Sequence, residues 1–537
     1  FNALGQAVIK GRIASGSSGQ DIGQLINFIR GDRSMEGSNG FRTRGTHVLG
    51  DIVNSQPELA GGINEGWSRL PDAEGGGVEY SNYLDGGTGY GTGKGGRAEV
   101  IYVGANDGML HGFNAENGAE TMAYIPYAVQ NKLGALAEPS YQHEFYVDGQ
   151  IAIGDAYNGS RWRNILIGGL GAGGRAIYAI DITNPDSPSV LWELTHEDDP
   201  SIGYTFGEPV ITRLQDGTWV AIFGNGYGGE NGQASLQVRR LFGQGSLVDE
   251  VDLGAAGDNG LSGVAVLLDP VTQTFATRAY AGDLKGNMWR VDFNNSRAEA
   301  GFSGAPLYTV SSNRPITATP ALAASPSGGV FVYFGTGRLL ETGDNQSNSV
   351  ERFWAVRDRN MAINQNAGFG AVTASAGGQV QGTLSNENGW YMDLSLGNGE
   401  RVVNKARVIF GRLIFTSFEP DDDVCATGGD QRLYVLDAQS GSGLLDSLCT
   451  NCGVIDLGRG APVEPPVVLK PAQPPAFTPP GPNTPPPAPP TLPPGVDPAI
   501  AREGWCSEFG ILTGGVVGGF QPLGTLCDGR QVWRQPR

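Results

Sequence analysis

Apolar, strand-like runs ending in glycine recur down this chain at Gly50, Gly104, Gly168, Gly224, Gly282 and Gly335, 53 to 64 residues apart. A seventh run, Leu413-Ile-Phe-Thr-Ser417, comes after a longer insertion. A repeat of this length cannot bury its apolar face alone, so neighbouring units must stack. The spacing predicts an all-β chain: a β-propeller of about seven four-stranded blades, with six and eight as alternatives because register at the two ends is open. Repetition round a ring also limits the exposed edges that an open sheet would leave.

Ile101-Tyr-Val-Gly-Ala-Asn-Asp-Gly-Met-Leu-His-Gly-Phe-Asn-Ala-Glu-Asn-Gly118 shows what one unit contains. Two short strands meet at Asn106-Asp107-Gly108, where Asp-Gly supplies the positive φ that a tight hairpin needs. Asn114 to Gly118 makes a second turn. Tyr280-Ala-Gly-Asp-Leu-Lys-Gly-Asn-Met-Trp-Arg-Val-Asp292 is a near variant, and Asp430 to Gly441 repeats the unit with a shift of phrase. The 85 glycines follow no three-residue period, which excludes collagen and fits many tight turns.

The net charge of −19 argues against a nucleic-acid-binding surface, which needs a basic stripe. No run of 18 apolar residues is present, so no transmembrane helix is expected. The chain opens at Phe1 with no signal-peptide pattern, and the expectation is a mature or trimmed piece. All five cysteines, Cys425, Cys449, Cys452, Cys506 and Cys527, lie in the last 113 residues. Disulfides of an exported protein are the favoured reading, with the pairing open and one cysteine left over. Zinc is the competing reading, from the ligand spacing of Cys449-Thr-Asn-Cys452, but its second half would need Cys506 and Cys527, with no histidine nearby.

Near the start, Ile22, Leu25, Ile26 and Ile29 share a helical face and Asp21 sits at the N-cap position. Arg30-Gly31-Asp32, the integrin-type tripeptide, comes at once after them, and a turn with Gly31 as the C′ residue accounts for it structurally. The glycine-rich stretch from Asn64 to Arg97 reads as a long surface loop. Within it Gly91-Thr-Gly-Lys94 resembles a phosphate-binding loop but lacks the first glycine and the Ser or Thr after lysine. Gly169-Leu-Gly-Ala-Gly-Gly174 matches G-x-G-x-x-G, yet Arg175 to Asp181 alternates as a strand, so the run is a turn. His47, His111, His143 and His196 show no metal or triad spacing, and His111 reads as a packed strand residue. Asp421-Asp-Asp423 reads as a solvated acidic loop.

Several segments in shared order carry a resemblance: Leu49-Gly-Asp-Ile-Val-Asn-Ser-Gln-Pro57, Tyr102 to Phe113, Gly168 to Pro185, Gly203-Tyr-Thr-Phe-Gly-Glu-Pro209, Phe223-Gly-Asn-Gly-Tyr227, Tyr280 to Arg290, Phe334-Gly-Thr-Gly-Arg338 and Gly399-Glu-Arg-Val-Val403. Over about residues 25 to 440 the chain resembles the C-terminal β-propeller of the PilC/PilY family of type IV pilus tip-associated proteins. The resemblance implies a non-enzymatic, secreted protein of pilus biogenesis and adhesion, reached through the periplasm and held at the pilus tip or cell surface. It implies minor pilins as partners, and a host-cell or abiotic surface as a target. Family members commonly carry an EF-hand-like Ca²⁺ loop where this chain has Leu268-Asp269-Pro-Val-Thr-Gln-Thr-Phe-Ala-Thr-Arg278. Only Asp269 remains of the carboxylates there, too few for a cation that takes six to eight oxygens, so Ca²⁺ is not expected to bind that loop tightly.

The expected organisation is a lead-in with a short helix over 1–45, the propeller over 46–460, a proline-rich linker or arm over 461–499, and a segment over 500–537 that returns to complete a blade. Two other function classes compete: an envelope-assembly scaffold, and a dehydrogenase of the pyrroloquinoline-quinone type, whose repeats the Ile101–Gly118 unit also resembles. The second would show adjacent cysteines and tryptophans at fixed repeat positions; this chain has neither.

Overall fold

In the computed structural model, the described residues run from 21 to 470, apart from 311–313, 342, 364–367, 383–386, 422–427, 446–447, 461, 463 and 465–466. Beyond them only the strands Cys506–Thr513 and Gly519–Cys527 are described. The chain divides into two compact units, one built mainly from Phe1–Pro320 with Asn360–Gln365, the other from Ala321–Arg359 with Asn366–Gln535.

The first unit opens with helix α1, Ile22–Ile29. Asp21 caps it as expected, its side chain accepting the Gln24 amide, while Leu25, Phe28 and Ile29 turn inward. Four sheets come after it. The first is β1 (Glu58–Ala60), β2 (Val100–Ala105), β3 (Met109–Asn114) and β4 (Glu120–Tyr124), antiparallel and in chain order. Next come β5 (Ile151–Tyr157), β6 (Trp162–Gly169), β7 (Ala176–Asp181) and β8 (Ser189–Thr195) in the same arrangement. A third four-stranded sheet spans 210–253, and a fourth, six-stranded, draws on 226–309. The second unit holds a six-stranded sheet over 321–393 and a four-stranded one over 407–460.

Among the described residues, six sheets of four or more strands thus precede Val467, the lower of the blade counts the spacing allowed. Gly50, counted with the repeats, ends no strand; it sits in a loop whose amide donates to Asp107 at 2.8 Å. The other five glycines do lie in strands, and packing explains them. A Cβ on Gly104 would stand 2.3 Å from the Val147 carbonyl, on Gly282 2.2 Å from the Ile316 side chain, and on Gly335 2.3 Å from Val402. Each glycine therefore marks where a later segment presses onto the strand, an approach no side chain permits.

Burial grades across each sheet. Trp219–Gly224 and Val330–Gly335 are buried at every position, whereas β4 is exposed or half-exposed throughout. Strands covered on both faces read as continuous apolar runs, and outer strands do not. The hairpin turns agree with the sequence reading: Gly108, Gly286 and Gly441 all take positive φ. The Asn114–Gly118 turn recurs as Asp437–Gly441, each closed by the glycine amide on the carbonyl four residues back, at 2.8 Å.

One expectation is corrected. Residues 64–97 are not one continuous surface loop. Helix α2, Gly77–Asp85, forms there, and Trp67, Leu70, Tyr80, Tyr83 and Lys94 are buried. The aromatic rings draw the segment inward, Tyr80 packing 4.6 Å from Trp162 and Trp67 4.8 Å from Trp219. The C-terminal strands join none of the earlier sheets among the described residues; Cys506–Thr513 pairs with Val467–Lys470 and Gly519–Cys527 in a three-stranded sheet of its own.

Candidate functional site

Arg30-Gly31-Asp32 forms the C-terminal closure of α1. Gly31, at φ 103°, donates to the Phe28 carbonyl and Asp32 to that of Asn27, the two bonds of a Schellman motif. Arg44 fastens the turn, its guanidinium donating to the carbonyls of Phe28 and Asp32 at 2.7 Å and to Glu36 at 2.7 Å. The Asp32 carboxylate accepts the Ser34 amide at 2.7 Å, which holds its pKa below the usual carboxylate range. Arg30 and Asp32 remain exposed.

The Asp269 loop is also closed on itself. One carboxylate oxygen accepts the amides of Val271 (3.2 Å) and Thr272 (2.7 Å) and the Thr272 hydroxyl (2.9 Å). These bonds, the Thr272 amide first, lower the Asp269 pKa. Gln273 donates from both backbone and side chain to the Asp269 carbonyl. A hard dication would have to displace those donors for a single carboxylate, so the residues present do not fit Ca²⁺.

Of the cysteines, Cys449 and Cys452 form a disulfide, which removes the thiolates that the zinc reading needed. Cys506 and Cys527 stand opposite each other in strand register. Cys425 lies outside the described residues, as do Asp422 and Asp423 of the acidic loop.

Polar clusters that the sequence reading missed lie inside the first unit. Asp155, fully buried on β5, accepts Tyr83 (2.8 Å) and Asn164 (2.9 Å) on one carboxylate oxygen, and Tyr80 (2.9 Å) and Lys94 (2.8 Å) on the other. Lys94 also reaches Glu65 at 3.3 Å and the Ile63 carbonyl at 3.0 Å. Burial, and then the Asp155 charge, push the Glu65 carboxyl up to about 7, against the pull of Lys94. The phosphate-loop likeness of Gly91–Lys94 thus ends in a structural ion pair.

His111 on β3 is clamped by Glu120 on one ring nitrogen (2.6 Å) and Asp107 on the other (3.1 Å). Burial depresses its pKa, but the two carboxylates outweigh that and the net shift is upward. In the Tyr280–Asp292 hairpin, fully buried Asp283 accepts the indole of Trp289 (2.8 Å), the side chains of Asn259 and Asn287, and two turn amides. These carboxylates hold hairpins and cores together.

The model of the PilY1 beta-propeller domain matches residues 49–391. The chain belongs to the PilY1 beta-propeller family. It is 34% identical over 527 residues to a type IV pilus biogenesis factor PilY1 homolog of Xylella fastidiosa, covering 85% of this chain and 35% of the relative. To the type IV pilus biogenesis factor PilY1 of Pseudomonas aeruginosa it is 33% identical over 511 residues, covering 83% of this chain and 42% of the relative. The crystal structure of the Pseudomonas aeruginosa PilY1 C-terminal domain aligns with a TM-score of 0.60 and 28% identity, over 71% of this chain and 86% of that one. The chain therefore spans 35% to 42% of the length of these curated relatives.

Proposed function

We propose that this chain is a non-enzymatic binding propeller that acts in type IV pilus biogenesis and adhesion at the cell surface or envelope. It holds pilus components, minor pilins among them, through loops presented on stiff sheets. The observation that carries this reading is the family match through residues 49–391, together with relatives that are type IV pilus biogenesis factors. The polar clusters support it: the buried carboxylates Asp155 and Asp283 are saturated with protein donors, as structural groups are, rather than poised over an open cleft. The reading includes no Ca²⁺ at Asp269.

The test is complementation. Cells lacking the full-length gene receive either that gene or a version deleted for residues 49–391, with protein levels checked by immunoblot. Surface pili should return only with the intact gene. Normal piliation from the deleted version would overturn the proposal.

A further inference from the structure

One face of the 64–97 excursion carries charge that the fold leaves unmatched. An open groove of about 440 Å³ lies between the glycine loop after α2, the β5–β6 hairpin and the segment after β7. Three arginines, Arg97, Arg161 and Arg163, line it against a single carboxylate, Asp186. In a chain of net charge −19 this local excess is unusual. Arg163 pairs with Asp181 at 3.5 Å. Arg97 and Arg161 pair with no carboxylate among the described residues, whereas Arg44, Arg213, Arg239, Arg290 and Arg432 all do.

Both free guanidiniums lie beside tyrosine rings. Arg97 stacks 5.1 Å from the Tyr83 ring and Arg161 lies 6.0 Å from that of Tyr90. Those tyrosines are themselves fixed, Tyr83 donating to Asp155 at 2.8 Å and Tyr90 to Glu79 at 2.6 Å. The loop is pinned by the Lys94 and Gly95 amides on the carbonyls of Tyr83 and Leu84. The hairpin tip is pinned by Asn158, whose side chain accepts the amides of Ser160 and Arg161. A guanidinium stacked on an aromatic face keeps its planar fork of donors free, and that fork matches a carboxylate.

We infer that this groove binds an acidic peptide segment of a protein partner, with Arg97 and Arg161 each taking a carboxylate. A sugar acid is the less favoured ligand. Tyr90 has the Tyr83 ring edge-on at 5.4 Å and the Arg161 guanidinium 6.0 Å away, and Trp162 is buried among other aromatic residues, so the groove offers no broad open platform for a sugar ring. The inference goes beyond the pilus reading and stands or falls without it, because its test uses no pilus component.

The experiment is titration calorimetry of the purified chain at about 0.15 M salt, with hexaglutamate as the peptide probe and trigalacturonate as the sugar-acid probe. Hexaglutamate should bind. Arg97→Gln and Arg161→Gln should each weaken it about tenfold, while Arg240→Gln, on an exposed strand end, should not. Melting temperatures establish that the variants are folded; should Arg97→Gln misfold, Arg161→Gln at the exposed tip decides alone. The inference is overturned if hexaglutamate gives no heat of binding, if Arg161→Gln binds it like the parent, or if trigalacturonate binds in its place.

Discussion

Lys94 and Arg97 are three residues apart on one glycine-rich loop and meet opposite fates. Lys94 is buried and satisfied by Asp155, Glu65 and a backbone carbonyl. Arg97 faces a groove with its charge unmatched. The loop thus has a structural side and a presenting side, and the first makes the second rigid. The contrast teaches that a charged residue on a loop signals a binding site only when the fold has not already used it.

The largest effect expected from this contrast is on stability. Asp155→Ala leaves Tyr80, Tyr83 and Asn164 without their acceptor and Lys94 with only Glu65 and the Ile63 carbonyl, and should cost about 3–5 kcal/mol in denaturant unfolding. A loss below about 1 kcal/mol would mean that the cluster is not holding the loop.

Next is pH. Glu65 holds its proton more tightly folded than unfolded, so its stabilising contribution is complete at low pH and is lost as pH rises from the ordinary carboxylate range to about 7. His111, also shifted upward, acts in the same direction from about 6.5 upward. The melting temperature of the parent relative to Glu65→Gln should fall by a few degrees through the first window, and relative to His111→Gln through the second. Flat difference curves would remove the assigned shifts.

Smaller still, Asp269→Ala breaks an exposed turn and should cost no more than about 1 kcal/mol. Added Ca²⁺ should leave the melting temperatures of parent and variant unchanged. Micromolar binding in calorimetry that is lost on Asp269→Ala would reverse the account of that loop. Smallest of all, Arg161→Gln should leave stability within about 0.5 kcal/mol of the parent; a larger loss would place Arg161 on the structural side of the comparison.

Much of the fold was legible because its signals are local. The Asp21 cap, the hairpin glycines and the strand glycines each express a constraint within a few residues, or a close approach repeated often enough to show as a spacing. The Gly50 miscount has a physical source: Val48 and Leu49 look like a strand end, yet they and Ile52 and Val53 are exposed in a loop. The 64–97 excursion was missed because its glycines mask a helix with little apolar content. The available clue was Tyr80 and Tyr83, three apart on one helical face. Their burial depends on Asp155 and Trp162, more than seventy residues along the chain, and no local pattern reports such a partner. The arginine groove was hidden for the same reason, since Arg97 and Arg161 meet only in the fold.

The central proposal is that loops on the repeated sheets, rather than the tail after Gly460, hold pilus components. Its most direct test is a pull-down of purified minor pilins with the whole chain and with a chain ending at Gly460. Equal retention by both is predicted; retention that disappears with the tail alone would contradict the account and make the tail the docking element.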